Sequence, residues 1–328
     1  MKTRCLRGHW HWLLLFPWLA CLPVSAAPQP QITPTNYHGY TQAWRLDNGM
    51  IEAIVVPEIG RLMHLSLKGG ENVIWINTRL LGTRLDGKQT NWINLGGDKS
   101  WPSPEAEWGR YTGDKSWFPP RGFDGLPATA HPTNHMLVLT SALDPHYGIR
   151  VIREFELLPG RPALSVRTRY ERISGQPSRL GIWIITQLKE PEQVFIPLPG
   201  ITAVTQGCVA LSRTFPPSLT LATNGLLALR RDPRNSYKIG TPAGTLIWVG
   251  PNTVVRIDSP RIPQAEYPDR NSSAEVYTNG GELDYVELEM LGPLHTLAPG
   301  QSLSQTNTYT LQPRRGRTAL QAALDILR

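Results

Sequence analysis

The sequence of 328 residues contains only three cysteines, Cys5, Cys21 and Cys208. The first two lie in an N-terminal segment with the features of a leader, so a chain that loses this segment keeps Cys208 alone. One cysteine forms no internal disulfide, which excludes the small disulfide-stapled scaffolds. Cys208 stands in an apolar stretch, and we expect it to be a buried small side chain rather than a nucleophile.

Charge is also sparse, at 18% charged residues with a formal net charge of +7. Loss of Lys2, Arg4 and Arg7 with the leader lowers the net charge to about +4, which is mild for a body of this size. The one dense basic run, at residues 314–317, is expected to be a solvated tail rather than a phosphate-binding patch. No nucleic-acid partner is therefore predicted.

Several motifs of common enzyme classes are missing from the sequence. No glycine-rich phosphate loop follows a predicted strand, and no Gly-x-Ser-x-Gly elbow marks a serine hydrolase of that type. His131 and His135 are four residues apart, but they flank Pro132 and are not expected to share a helical face. We predict no cofactor and no metal, although scattered carboxylates leave a calcium ion open.

Residues 1–26 are predicted to be a signal peptide. A basic start is followed by the apolar run Trp10–Leu22 and by Val24–Ala26, which places a small residue before Ala27. A membrane anchor or an N-terminal core helix is the alternative, and a lipid attachment at Cys21 is disfavoured by the preceding sequence. We expect export, to the periplasm or beyond, with no stable membrane insertion after cleavage.

The rest of the chain is predicted to be all-β, because Gly (29) and Pro (30) separate many short β-branched or alternating runs. The absence of long helices between these runs favours an antiparallel sandwich over a βαβ fold. We expect a flexible lead-in at 27–34, one large β-sandwich at 35–311, and a tail at 312–328 with a helix over Thr318–Leu327. The predicted strands are Met50–Val56, Leu62–Leu67, Val73–Ile76, Met136–Thr140, Ile149–Leu157, Ala163–Tyr170, Leu180–Gln187, Thr245–Val249, Val254–Ile257, Ala274–Thr278, Tyr285–Met290 and Ser304–Leu311.

The segment Thr90–Pro132 is the least strand-like part and combines tryptophans with charged residues. A long loop of this composition is typical of a functional site. Sugars fit such a surface, since their C–H faces pack on aromatic rings and their hydroxyls need fixed polar partners. A loop that only caps the sandwich is the alternative. The candidate sugar contacts in this segment are Asp98, Lys99, Trp101 and Trp117.

The late run Tyr285–Met290 alternates polar and apolar residues. On a strand, Glu287 and Glu289 point to one side and the intervening apolar residues to the other. Two carboxyl groups on one face repel each other and raise a pKa, which suits a general acid or base. A strand with a solvated face explains the same pattern.

Several stretches together resemble a domain-of-unknown-function group within the galactose mutarotase-like superfamily, which includes the aldose epimerases. The Gly-Gly-Asp-Lys-x-Trp-Pro segment is specific to that group, and the other pieces are general to the superfamily. The stretches are Pro57–Leu65, Asn72–Trp75, Asn94–Pro102, Pro119–Gly125, Trp183–Gln187, Lys238–Gly240 and the segment that ends at Gly300.

The resemblance implies a large antiparallel β-supersandwich whose concave face binds carbohydrate. It makes Glu289 the counterpart of the epimerases' catalytic glutamate, with Glu287 beside it, and adds Arg61 and Lys238 to the sugar contacts. Where the epimerases carry a catalytic histidine, this chain reads Trp183–Gln187. The proton would then have to come from another group, for which His64, His131 and Lys99 are the candidates.

We therefore expect an exported carbohydrate-binding protein of this superfamily, with aldose epimerase or another sugar-modifying activity left open. The alternative is a structural or accessory module of the cell envelope without catalysis. A contiguous apolar surface in place of a polar groove would favour that alternative.

Overall fold

The computed structural model describes residues 29–113 and 118–328. The predicted signal peptide, the first two residues of the lead-in and Trp117 lie outside the described residues. Within the described ranges, no helix is long and apolar enough to cross a membrane.

Two antiparallel sheets form the body of the molecule. Sheet A has the strand order β1-β2-β3-β4-β5-β10-β19-β18-β15-β12, with β20 paired to the start of β10. Its strands are β1 (Gln31–Tyr37), β2 (Tyr40–Asp47), β3 (Ile51–Val56), β4 (Arg61–Leu67), β5 (Asp98–Ser103), β10 (Ser178–Lys189), β12 (Val209–Ala210), β15 (Tyr237–Thr241), β18 (Ala274–Thr278), β19 (Tyr285–Leu291) and β20 (His295–Leu297).

Sheet B has the strand order β13-β14-β11-β16-β17-β21-β9-β8-β7-β6. Its strands are β6 (Ala128–Pro132), β7 (Met136–Ser141), β8 (Ile149–Leu157), β9 (Ala163–Arg172), β11 (Gln193–Pro197), β13 (Thr220–Leu221), β14 (Leu226–Leu229), β16 (Thr245–Val249), β17 (Thr253–Asp258) and β21 (Ser302–Pro313). The described helices are α1 (Trp108–Thr112), α2 (Val204–Gly207), α3 (Pro268–Asn271) and α4 (Ala319–Asp325), with 3-10 turns at Pro57–Ile59, Thr78–Leu80, Glu105–Glu107 and Thr223–Gly225.

The alternation of apolar residues along the strands builds the core between the sheets. In β19, Val286, Leu288 and Met290 are fully buried in one cluster with Val255 and Leu311 of sheet B. Because successive side chains of a strand point to opposite faces, the remaining residues of β19 lie on the outer face of sheet A. The prediction that β19 separates its glutamates from its apolar residues is confirmed.

The all-β prediction is confirmed, but two local predictions are wrong. Val73–Ile76 makes only isolated bridges, Ile74 with Leu188 and Ile76 with Gly96, and is not a strand. The supposed loop Thr90–Pro132 contains β5 and β6. The β5 sequence includes a proline and little apolar alternation, so its strand structure comes from pairing with β10 rather than from local propensity.

The described part of the lead-in and the C-terminal segment are more ordered than predicted. The lead-in does not stay flexible throughout, because Gln31–Pro34 pairs with β2 as the first half of β1. At the other end, Thr318 and Gln321 form a capping box that begins α4, as the sequence predicts. Helix α4 is not part of a loose tail, since Ala322 and Ala323 pack on Phe195 of sheet B.

A buried ion pair links the two sheets. Asp98 of β5 points between the sheets, where Arg153 of β8 binds one carboxylate oxygen. The other oxygen accepts hydrogen bonds from Tyr309 (2.6 Å) and Thr186 (2.7 Å). All four side chains are nearly inaccessible to solvent. This network satisfies a buried charge and fixes β5 against sheet B.

Replacement of Arg153 should lower the free energy of unfolding. In Arg153→Met, Asp98 stays buried without its cation, so we expect the free energy of unfolding to fall by about 3–5 kcal/mol. Urea denaturation measures it. The matched control is Arg167→Met on β9, where an exposed pair with Glu154 at 3.7 Å should contribute less than about 1 kcal/mol. Equal losses in the two variants would contradict this role for Asp98.

Candidate functional site

Charged side chains meet on the outer face of sheet A, at its centre. We call Lys99, Lys238, Glu275, Glu287 and Glu289 the Lys–Glu cluster. Strand register places them there: Lys99 and Glu289 both lie opposite Ile185, and Glu275 lies opposite Glu289. Five neighbouring strands, β5, β10, β19, β18 and β15, thus hold the cluster on a rigid base.

Lys238 binds two of the carboxylates. Its Nζ lies 2.7 Å from Glu275 Oε2 and 3.0 Å from Glu289 Oε2, and 4.4 Å from the centre of the Trp183 ring. The Trp183 Nε1–H donates to the same oxygen of Glu289 at 2.6 Å. Burial alone would lower the pKa of Lys238, but the carboxylates of Glu289 and Glu275 outweigh it and raise that pKa. Lys238 is therefore a fixed cation.

Lys99 and Glu287 form a looser pair. Lys99 Nζ is 3.9 Å from Glu287 Oε1 and 4.9 Å from the centre of the Trp101 ring. It makes no hydrogen bond to any described residue, although Lys99 is only 1% exposed. Glu287 Oε1 accepts a hydrogen bond from Gln187 at 2.8 Å. The ammonium group thus has a charge partner and unused donors.

Burial brings the pKa values of Lys99 and Glu287 close together. Desolvation lowers the pKa of Lys99 to about 8, against the opposing effect of Glu287. Desolvation raises the pKa of Glu287 to about 7, and Lys99 limits the rise. The two groups titrate as a pair around neutral pH, a property typical of acid–base sites.

A second carboxyl pair lies at the edge of the cluster. Burial raises the pKa of Glu275 well above its ordinary value, with Lys238 opposing the rise. Burial also raises the pKa of Asp269, which faces Glu275 and Lys238. Asp269 begins three consecutive residues with positive φ, at 49°, 60° and 67°. Such backbone is costly for residues other than glycine and is concentrated at functional sites.

Tryptophans cover the β5 side of the cluster. Trp101 and Trp183 meet edge to face with ring centres 5.6 Å apart, and Trp108 of α1 lies 5.4 Å from Trp101. The buried pair of Arg61 and Asp124, at 2.7 Å, anchors this layer, because Asp124 Oδ1 also accepts the Trp101 Nε1–H at 3.0 Å. All three rings are nearly buried, so they form a wall rather than an open stacking surface.

The sequence matches the model of a domain of unknown function, DUF4380, over residues 41–312. The chain belongs to the DUF4380 family. No sequence among the curated proteins matches it.

Solved structures place the fold of this DUF4380 chain among the galactose mutarotase-like proteins. A galactose mutarotase-like protein from Lactobacillus casei is 11% identical with a TM-score of 0.54, over 82% of this chain and 99% of that one. A galactose mutarotase related enzyme from Lactobacillus acidophilus is 10% identical with a TM-score of 0.55, over 83% and 97%.

A third structural neighbour is a TPR-domain containing protein from Parabacteroides distasonis. It is 14% identical with a TM-score of 0.54 over 88% of this chain, which spans only 54% of that protein. At these identities the likeness concerns the fold alone. The predicted fold and the predicted membership of a domain-of-unknown-function group are confirmed.

The DUF4380 structure brings together four of the predicted site residues, Lys99, Lys238, Glu287 and Glu289. Two others, Arg61 and Trp101, lie behind them in the tryptophan layer. Trp117 lies outside the described residues. Of the three candidate proton donors, Lys99 alone lies in the cluster: His64 is on β4 and His131 is exposed on β6 of sheet B.

Asp98 requires a correction. It was predicted to contact sugar together with Lys99 and Trp101, but neighbours on a strand face opposite sides. Its carboxylate lies between the sheets in the Arg153 network and does not reach the Lys–Glu cluster. The prediction is wrong because it assigns the segment to a loop, in which the alternation of side-chain directions along a strand gives no information.

Sequence reasoning missed four side chains of the site: Glu275, Asp269, Trp183 and Gln187. The strand containing Glu275 was predicted with the correct bounds, Ala274–Thr278. A lone glutamate among apolar residues of a predicted strand was the available signal. No local pattern marks Asp269, which the left-handed turn brings to the cluster.

The stability of the protein should depend on the protonation of Glu287. The folded state holds this proton up to about pH 7, whereas an unfolded chain releases it near 4.5. Rising pH in this window therefore favours unfolding, and Glu275 acts in the same direction. In Glu287→Gln, the decline of the free energy of unfolding between pH 5 and 7, followed by urea denaturation, should be shallower.

The control for this measurement is Glu171→Gln on β9 of sheet B, which should leave the decline as in the unmodified protein. An unchanged pH dependence in Glu287→Gln would show that Glu287 titrates as an ordinary exposed carboxyl.

Proposed function

We propose that this protein is an exported carbohydrate-binding protein whose ligand contacts the Lys–Glu cluster. One observation carries the proposal: four buried polar atoms of the cluster, Lys99 Nζ and Glu289 Oε1 among them, have no hydrogen-bond partner among the described residues. Unpaired buried polar atoms are costly and rare in folded proteins, and they are retained where a ligand satisfies them.

Sugar hydroxyls suit Lys99 Nζ and Glu289 Oε1. A hydroxyl group donates one hydrogen bond and accepts two, so neighbouring hydroxyls on one ring can donate to Glu289 Oε1 and accept from Lys99 Nζ. The cluster carries three carboxyl groups and two ammonium groups, which gives no strong preference for an ionic ligand.

The cluster is reached through its less buried members. The side chains of Lys238 and Glu287 are 23% and 14% exposed. Tyr277 is partly exposed and lies opposite Glu287 in the strand register. Its ring offers an apolar face beside the polar groups, the combination that carbohydrate sites use. The fold likeness to a galactose mutarotase-like protein and a galactose mutarotase related enzyme supports the same ligand class.

Opening and reclosing of an aldose ring is a second candidate function, favoured by the Lys99–Glu287 pair. Ring opening needs a base that takes the proton of the anomeric hydroxyl and an acid that protonates the ring oxygen as the C–O bond breaks. Between about pH 7 and 8, Glu287 is ionised and Lys99 is still protonated, so the two groups are in the required forms.

Glu287 fits the base better than Glu289, the counterpart implied by the superfamily resemblance. Glu289 is fully buried, and one of its oxygens is held by Lys238 and Trp183. Glu287 is partly exposed and has Lys99 beside it. The open-chain aldehyde recloses by the reverse proton transfers, which yields the other anomer.

Export rests on residues 1–26 of the sequence. In a Gram-negative host, the protein should be recovered from the periplasmic fraction with Ala27 at its N-terminus. N-terminal sequencing tests this, and an intact Met1 in the cytoplasmic fraction would contradict export.

Removal of the Lys99 ammonium group should weaken sugar binding. Titration calorimetry against a panel of monosaccharides and trisaccharides should identify a ligand for the unmodified protein, and Lys99→Met should bind it at least tenfold more weakly. Lys68→Met, an exposed lysine on the loop after β4, is the control and should bind normally. The proposal would be contradicted if no sugar binds the unmodified protein, or if Lys99→Met binds the ligand with unchanged affinity.

The catalytic candidate is tested by NMR exchange between α and β anomers. The protein should accelerate the exchange most between about pH 7 and 8. Glu287→Gln and Lys99→Met should each lose about 10²–10⁴-fold of this acceleration. An exchange rate equal to that of buffer alone would restrict the function to binding.

A further inference from the structure

A cavity lies apart from the Lys–Glu cluster, at an end of the sandwich. It has a volume of about 750 Å³ and is lined by Trp75 and Lys189 on the side of sheet A and by Trp248 and Asn252, in the turn between β16 and β17, on the side of sheet B. This volume falls in the range of small-molecule sites, about 300–1,000 Å³. We will call it the end cavity.

Two indole rings of the end cavity are held in fixed orientations. The Trp75 Nε1–H donates to Asp284 Oδ1 at 3.2 Å, and the Trp248 Nε1–H donates to the Lys189 carbonyl at 2.8 Å. The backbone at Gly250 passes directly against Trp248, since a Cβ there would lie 2.1 Å from the ring. Both rings are nearly buried and their polar atoms are bonded within the protein, so they form apolar walls of the cavity rather than open stacking surfaces.

Three of the six charged residues that line the end cavity, Arg79, Glu190 and Glu282, form ion pairs. Arg79 pairs with Glu282 at 3.2 Å, and Glu190 pairs with Arg231 at 3.1 Å. Burial lowers the pKa of His64, so its imidazole is neutral at pH 7. Aromatic walls with lining charges of both signs fit a neutral hydroxylated ring better than a phosphate or a metal ion.

The end cavity adjoins the first site. The Trp75 ring lies 4.6 Å from the Tyr285 ring, and Tyr285 lies 6.2 Å from Tyr277, the aromatic residue opposite Glu287. Tyr285 and Glu287 are also two residues apart on the same face of β19. The two sites are therefore neighbours separated by a single layer of aromatic side chains.

We propose that the end cavity is a second carbohydrate-binding site, which holds a neutral sugar unit between Trp75 and Trp248. It goes beyond the proposed function, because it concerns other residues and does not require binding at the Lys–Glu cluster. A chain with both sites presents two contacts to one oligosaccharide or to two separate sugars.

Two variants that fill the end cavity test the proposal. Asn252→Trp and Glu71→Trp each place a bulky ring at an exposed position that lines the cavity. Thr306→Trp, at an exposed position of β21 away from the cavity, is the matched control. Glucose, maltotriose and cellotriose are the probes, and titration calorimetry gives affinity and stoichiometry for each protein.

We expect both filling variants to bind at least one probe tenfold or more weakly than the unmodified protein, or with one site fewer. Thr306→Trp and Lys99→Met should retain this component of binding. Normal binding in both filling variants would overturn the second site. If Lys99→Met loses binding in the same experiment, the proposed function at the Lys–Glu cluster stands. The absence of binding of all three sugars to the unmodified protein would overturn this proposal as well.

Discussion

The site depends on strand β5 being held in the centre of sheet A, and the buried Asp98–Arg153 pair holds it there. Asp98 binds sheet B through Arg153 and Tyr309. Because side chains alternate along a strand, this inward anchor sets Lys99 on the outer face, beside Glu287. The charge that stabilises the sandwich and the charge that joins the Lys–Glu cluster are thus consecutive residues of the chain.

The Lys–Glu cluster combines two kinds of ion pair. Lys238 is bound closely by Glu275 and Glu289 and keeps its charge, so it gives the cluster a permanent cation. Lys99 and Glu287 lie further apart, and burial brings their proton affinities together. The proposed sugar binding and ring opening both draw on this combination of a fixed cation and a pair that titrates near neutral pH.

The sequence was sufficient for the fold class and for part of the site. Regular alternation in Tyr285–Met290 and Ala274–Thr278 predicted strands with nearly the observed bounds, and the side of Glu287 and Glu289 followed from it. Residues 98–103 lack that alternation, so the sequence predicts a loop there and carries no information on the face to which Asp98 points. Contacts between distant strands, such as Lys99 with Glu287, depend on strand order, which no local pattern contains.

The central claim is that Lys99 and Glu287 form an interacting buried pair on the outer face of sheet A. A ¹³C NMR titration of the Glu287 side-chain carboxyl measures it directly. The account predicts a midpoint near pH 7 that moves higher in Lys99→Met, because the ammonium group limits the effect of burial. A midpoint near 4.5 that does not respond to Lys99→Met would contradict it.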